Sequence, residues 1–371
     1  MEPTRLSRRI GYRVKFARDS KGYSQEELAG KLSFKDRQSV SDMENGKRNI
    51  LPSELETLSR ELGYEMDFFL DPFSVSGEGS FSWRASPDLD STAVFDFEQR
   101  AGQWVGLMRW TQDTLGVTRN PLGYRLNLTT KSSFEDAVIA AEALVTKLSL
   151  GNIPAEKLVG VIENELDIPV LFVDTISGEA VSISGAVCHL PEMQVILVNR
   201  NESHTRMYYD LAHELFHVLT WSDMKPEHIE SDELILCNDK KRTEQLADNF
   251  AAALLMPEKT LGNLIDKRFL SDSEHLLQVA NKIHVSPSAL AWRLFNMKWI
   301  TEQTKDCLRA KPSNNTDQKP KRFSPGFVMP IHGVIASGRL SARKAAKVLG
   351  ISLPGLVDLF EEYGLSAPFE L

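Results

Sequence analysis

The run His213-Glu214-Leu215-Phe216-His217 restricts what this chain can fold into more than any other part of it. Side chains four apart on a helix project from one face, so both imidazoles can reach a common point, with the glutamate angled beside them. Neutral imidazole suits zinc, and a site with three protein ligands keeps its fourth position for water. The flanks, Tyr208 to Ala212 and Val218-Leu219, are mostly apolar with few helix breakers. Such a helix is buried, and burying two histidines and a glutamate with nothing to bind them is costly. The spacing therefore predicts an internal helix presenting a metal site. The plainer alternative is a surface helix whose His and Glu face water.

A third ligand is expected on another helix. Residues 244–256 are strongly helix-forming, and Pro257 marks their end. Glu244 and Asp248, four apart, share a face. Glu244 can complete a His-His-Glu set with His213 and His217. Asp248 can accept a hydrogen bond from the outer nitrogen of a ligand histidine and fix its tautomer. Glu214 is then the general base, taking a proton from water and passing it to a leaving amine. A hydrogen-bond donor for the oxyanion is also required, and Arg206, Tyr208, Tyr209 and His228 are candidates by their position in the chain.

Arg206, Ala212-His213-Glu214 and His217, followed by Glu244, Ala247-Asp248, Phe250-Ala251-Ala252 and Leu254-Leu255-Met256-Pro257, closely resemble the ImmA/IrrE family of zinc-dependent endopeptidases. The resemblance runs from about residue 133 to about residue 300. It takes in a helix-then-strand unit at 153–173, the Ser184-Gly185-Ala186 stretch and a strand at 195–199. It implies a zincin-like α+β domain with Zn2+ as cofactor. Members of that family cut a helix-turn-helix repressor or serve as the regulatory partner of one.

A second signature occupies the first seventy residues. Ser24 with Glu27 forms a capping box opening a short amphipathic helix, and Asn45-Gly46 is a helix stop. Ile10, Val14 and Ala17 before it, and Leu55, Leu58, Leu62 and Phe69 after it, continue the helical spacing. Twelve Lys plus Arg against seven Asp plus Glu in residues 1–48 give a local charge of +5, whereas the whole chain stands at −8. A basic face on an acidic protein is what a phosphate-contacting module presents. The Glu44-Asn45-Gly46-Lys47-Arg48 exit and the short helices around it resemble the lambda-repressor-like (XRE) helix-turn-helix family. That resemblance implies a second helix lying in the major groove, with Arg37, Gln38, Ser39 and Ser41 reaching base edges. Lys35, Lys47, Arg48 and the backbone around Ser24-Gln25 would hold phosphates. The stretch from Leu32 to Met43 is slightly longer than the common family spacing. The bland alternative is a helical domain used only for protein contact.

The remainder is less legible. Residues 74–82 are small and polar, as a linker would be. Phe95, Phe97, Trp104, Val105, Leu107, Met108 and Trp110 suggest core-facing helix near 93–115, with Trp83 and Arg84 before it suited to domain packing or a dimer contact. Residues 301–326, including Lys319-Pro320-Lys321-Arg322, read as a flexible basic linker. Ser341 then caps a basic helix bearing Arg343, Lys344 and Lys347, Gly350 ends it, and another helix follows Ser352. That pattern suits a second nucleic-acid contact or a docking module. No apolar run reaches bilayer length, and the basic N-terminus lacks the apolar core of a signal peptide. Three widely spaced cysteines, Cys188, Cys237 and Cys307, suggest a reducing compartment, so the expected location is cytoplasmic.

The sequence thus describes a multidomain, mainly α protein. Its expected parts are an all-α helix-turn-helix domain (1–73), a linker and helical connector (74–132) and a zincin-like HExxH metallopeptidase domain with a small sheet (133–300). A flexible linker (301–326) and a small helical C-terminal module (327–371) follow. The expected function is a DNA-binding transcriptional regulator with a zinc endopeptidase domain. It would control a stress, phage-defence or toxin-antitoxin response by cleaving a repressor, a partner or itself. An antitoxin-like repressor whose zinc domain is a non-catalytic sensor or partner-binding module is the alternative. Expected partners are a double-stranded DNA operator, a protein substrate or partner (repressor or toxin), and a second copy in a homodimer.

Overall fold

The computed structural model describes residues 5–85, 91–117, 123–175, 183–230, 238–313 and 319–370. Five helices open the chain: α1 (Arg5–Ser20), α2 (Gln25–Lys31), α3 (Arg37–Glu44), α4 (Pro52–Leu62) and α5 (Met66–Leu70). Local signals set their ends. The Ser24 side chain accepts from the Glu27 amide, while the Glu27 carboxylate accepts from the Ser24 amide at 2.7 Å. Two residues after α3, Gly46 takes a φ of +67° and the Lys47 amide donates back to the Asp42 carbonyl. Such a helix end favours glycine, and a Cβ at Gly46 would lie 2.7 Å from the Arg8 backbone nitrogen. Val14, Leu28, Val40, Met43, Leu58 and Phe69 form this domain's core.

The rest of the chain builds three layers around one sheet. In order it contains β1 (Ser80–Ala85), α6 (Ser91–Leu115), α7 (Phe134–Lys147), α8 (Pro154–Asn164), β2 (Val170–Val173), β3 (Ile183–His189), β4 (Gln194–Asn199) and α9 (His204–Thr220). There follow β5 (Ile229–Glu230), α10 (Asn238–Leu255), α11 (Glu258–Leu264), α12 (Ser273–Lys282), α13 (Pro287–Asn296), α14 (Glu302–Arg309), α15 (Pro325–Ala336), α16 (Ala342–Leu349) and α17 (Leu353–Glu362). Strand order is β2-β4-β3-β1-β5. The outer pairs β2–β4 and β1–β5 are parallel, and β4–β3 and β3–β1 are antiparallel.

Both faces of the sheet are apolar, so both must be covered. Along β4, Ile196 and Val198 join the core under α7 to α14, while Val195 and Leu197 join a second core with α6 and the C-terminal helices. The molecule is mainly helical with a small sheet, as the sequence predicts.

Three segments differ from expectation. Residues 80–85, read as the end of a linker and its sequel, are an inner strand: Phe81, Trp83 and Ala85 enter the second core by period-two alternation. Of the stretch 301–326, the described residues 301–313 and 319–326 are not a free tether, since α14 occupies part of them and Phe323 is 1% exposed and bridges to Phe172. Arg200 also donates to the Pro320 carbonyl, and Tyr363 to that of Arg322. The C-terminal helices are likewise packed on the sheet rather than set apart. Trp104 of α6 donates to the Leu349 carbonyl, and Phe327, Ile331, Leu349 and Phe360 share the second core.

The first domain is sutured to this body by a buried ionic knot. Arg13 of α1 is 2% exposed and donates to the carbonyls of Phe68, Phe69, Asp71 and Ser74 and to Glu78. Glu78 also receives Arg109 of α6 at 2.6 Å, giving an Arg-Glu-Arg triad shielded from water. Arg5 and Arg9 reach Asp113 around its rim. No helix among the described residues is long and apolar enough to cross a membrane. Cys188 is buried and Cys307 exposed, both as free thiols, and Cys237 lies outside the described residues.

Candidate metal centre and nucleic-acid interface

Helix α9 begins at Ser203, whose side chain accepts from the Arg206 amide, and runs through the centre of the larger core. His213, Glu214 and His217 are all 1% exposed or less, so the surface-helix alternative fails. Helix α10 packs beside α9 and brings Glu244 up to the imidazoles. The Nε2 atoms of His213 and His217 lie 3.0 Å apart. Glu244 Oε2 is 3.1 Å from His213 Nε2, and its Oε1 is 3.6 Å from His217 Nε2.

These separations test the donor set. Zinc bonds of about 2.0–2.1 Å in tetrahedral geometry put neighbouring donors roughly 3.3 Å apart. The observed values bracket that figure, and two imidazoles with one carboxylate are ordinary zinc donors, so the residues fit the ion. Asp248 comes up to the same imidazole: its Oδ1 is 3.0 Å from His213 Nδ1 and also accepts from the Tyr209 hydroxyl at 3.2 Å. Burial and the Arg84 cation oppose a charge on His213, but Asp248 and Glu244 outweigh them and push its pKa up to about 10. Burial also disfavours charge on Glu244, and the two histidines nonetheless hold it well below the usual carboxylate range.

Glu214 lies against β3. A Cβ added at Gly185 would sit 2.9 Å from Glu214 Oε1, so the bare backbone there makes room for this carboxylate. Gly185→Ala is expected to shift Glu214 by a few tenths of an ångström and slow any hydrolysis about 10-fold, with metal uptake unchanged. Unaltered turnover in that variant would show that the position of Glu214 does not matter.

Of the four oxyanion candidates, Tyr209 contacts the site through Asp248, and Arg206 pairs with Asp210 at 3.0 Å. Tyr208 packs near His204 and His284, and His228 pairs with Glu98, so neither shows a contact with the ligand set. Sequence reasoning missed two participants, the fully buried Asp210 and its partner Arg84, 3.2 Å away. Beside them opens a cleft of about 1090 Å³ lined by Arg84, Tyr209, Asp248, Val138, Ile139 and Trp292.

In the first domain, α2 and α3 are joined by a turn in which Ser33 adopts a φ of +57° and the Phe34 amide returns to the Ala29 carbonyl. Asp36 caps α3 by accepting from the Ser39 amide. Arg37 and Gln38 are exposed at the start of α3, with Ser39 and Ser41 half-buried behind them, and Lys35 and Lys47 are exposed at either end. Gln38 leans on Asp42 at 2.9 Å. Arg48 is partly committed within the fold, to Glu54 at 2.7 Å and over the Phe34 ring. Ser24 is the cap of α2, and the Gln25 side chain reaches Glu44, which Arg18 also holds in the core.

Helices α16 and α17 do form a helix-turn-helix pair, with Gly350 at a φ of +69° between them. The second of the two carries Asp358, Glu361 and Glu362 and no Lys or Arg. A groove-reading helix of that charge would repel phosphate. A second DNA contact through this pair is therefore disfavoured.

Comparison with known proteins agrees with both halves. Residues 14–69 match the helix-turn-helix family model, and residues 164–295 match that of the IrrE N-terminal-like domain. No curated protein matches at a significant level. Among solved structures, the apo form of the competence regulator ComR from Streptococcus vestibularis aligns at 11% identity over 96% of this chain and 93% of that one. Its TM-score of 0.17 is too low to support any inference.

Proposed function

We propose that this chain, which unites an XRE-type helix-turn-helix domain with an ImmA/IrrE-like domain, is a DNA-binding regulator whose second half is a zinc-dependent endopeptidase. One observation carries the enzymatic half: ligand atoms of His213, His217 and Glu244, one from each residue on α9 and α10, lie within 4.8 Å of one another, with Glu214 adjacent to His213 in the chain. His213, His217 and Glu244 would hold the ion. When bound, zinc supplies Lewis acidity towards a carbonyl and makes a water more acidic. Glu214 takes that water's proton at its carboxylate and delivers it to the leaving amine. Asp248 accepts from His213 Nδ1 and so keeps Nε2 free to ligate. A polypeptide would approach through the cleft lined by Asp248, the residue that contacts His213, and apolar packing around α9 buries Glu214.

A separate protein is the favoured substrate. Self-cleavage within β1 is disfavoured by its pairing to β3 and, at Trp83 and Arg84, also to β5. A helix-turn-helix repressor or toxin partner is the class that the family resemblance suggests, in a stress, phage-defence or toxin-antitoxin setting. Operator binding is proposed to involve a homodimer on two half-sites.

Two measurements test the proposal. Wild type should retain about one zinc per chain after purification, and His217→Ala should not; a zinc-free wild type would leave a regulator with a sensor-like or partner-binding second half. A gel shift on the chain's own upstream DNA should be abolished by Arg37→Ala combined with Gln38→Ala, since each base contact is worth about 1–3 kcal/mol. Binding that survives both changes would refute the assignment of α3 as the reading helix.

A further inference from the structure

Arg84 belongs to none of the motifs and lies outside the residues matched to the IrrE N-terminal-like domain. Phe81, Trp83 and Ala85 of β1 point into the core under the C-terminal helices, so Ser82 and Arg84 face the opposite side, towards α9. The β1–β3 register sets Arg84 opposite Gly185, the residue against which Glu214 rests. Directly after Arg84 the register slips at a β-bulge. Bulges recur beside functional sites because they re-aim a side chain.

The guanidinium is thereby presented to two helices at once. Its Nη1 lies 3.2 Å from Asp210 Oδ1 on α9, and its Nη2 lies 3.5 Å from Asp248 Oδ1 on α10. Those helices supply the donors, His213 and His217 from α9 and Glu244 from α10. Arg206 also pairs with Asp210, but both belong to α9. A planar fork can span two carboxylates, whereas an ammonium acts as a compact point charge.

Resting on the metal-centre reading above, we infer that Arg84 is a positioning residue of that centre, a clamp from β1 that fixes the spacing of α9 and α10 through Asp210 and Asp248. It holds Asp248 where His213 Nδ1 needs its acceptor. It also balances charge, because Asp210, Glu214 and Glu244 gather three buried or nearly buried acids beside the half-exposed Asp248, and buried acids require partners.

The test is Zn2+ affinity, measured on the full chain by competition with a chromophoric chelator. Arg84→Gln and Arg84→Lys should each weaken zinc binding about 10- to 100-fold, the usual effect of removing a group that orients a ligand. Arg206→Gln should weaken it much less. In the Co2+-substituted protein the visible bands should shift for Arg84→Lys and remain for Arg206→Gln. If Arg84→Gln fails to fold, Arg84→Lys, which keeps the charge, decides the matter. Wild-type affinity in Arg84→Lys would overturn the clamp while leaving the metal centre intact. An equal loss in Arg206→Gln would overturn it too, by showing that neutralising Asp210 suffices. A wild type that takes up no zinc removes the metal-centre reading and the clamp with it.

Discussion

Glu214→Gln is expected to keep its zinc and to lower the rate of substrate cleavage by about 10²- to 10⁴-fold, the range a positioned general base contributes. The exchange is nearly isosteric in a side chain only 1% exposed, so packing against Gly185 persists. Glu214 is not among the three converging donors, so the ligand set is untouched. What disappears is the ability to take a proton, since a carboxamide has no basic oxygen at neutral pH. Zinc content and mass-spectrometric cleavage of candidate helix-turn-helix repressors, run side by side for both proteins, check the two halves. Equal cleavage rates would remove Glu214 as the base. Loss of zinc along with activity would place Glu214 among the ligands.

Arg13→Ala should be the most damaging change outside the site. Truncating one partner of a buried ion pair costs about 3–5 kcal/mol, because the survivor is left in low dielectric. Here the survivor, Glu78, keeps Arg109 but loses a 2.7 Å partner, and the Phe68, Phe69, Asp71 and Ser74 carbonyls lose their shared donor. That energy corresponds to roughly 10²- to 10⁴-fold faster amide exchange in α1 and α5, at about 1.36 kcal/mol per decade. Exchange in α9 and α10 should hold at the wild-type rate. Unchanged protection of α1 and α5, measured by hydrogen–deuterium exchange, would show the knot to be energetically idle.

How much of this was legible in the chain depends on how local each signal is. The α9 motif, the Glu244–Asp248 face and the Ser24 and Gly46 helix ends rest on spacing over a few residues; in the structure the His213, His217 and Glu244 side chains lie together, Asp248 contacts His213, and the two helix ends form. Strand β1 was missed although Phe81, Trp83 and Ala85 alternate correctly, because the Ser- and Gly-rich run before them reads as a linker. Its burial follows only from pairing with β3, about a hundred residues away in the chain. Strand β5 has two residues and carries no periodicity at all. The basic stretch 319–322 looked solvated because its anchors, Asn201, the Trp104 ring and Tyr363, are remote in sequence. Arg84 has the same origin: its role exists only once α9 and α10 converge on β1.

The Arg13–Glu78–Arg109 knot bears on how such a protein can be recombined. A chimera taking residues 1–73 from an unrelated repressor would leave Glu78 and Arg109 facing a foreign surface, unless the donor brought an equivalent guanidinium. The transferable cassette is therefore longer than the DNA-reading helices: it extends through Glu78 and needs a matched residue on α6. Swapped heads that ignore this boundary should dock crookedly on an otherwise intact body.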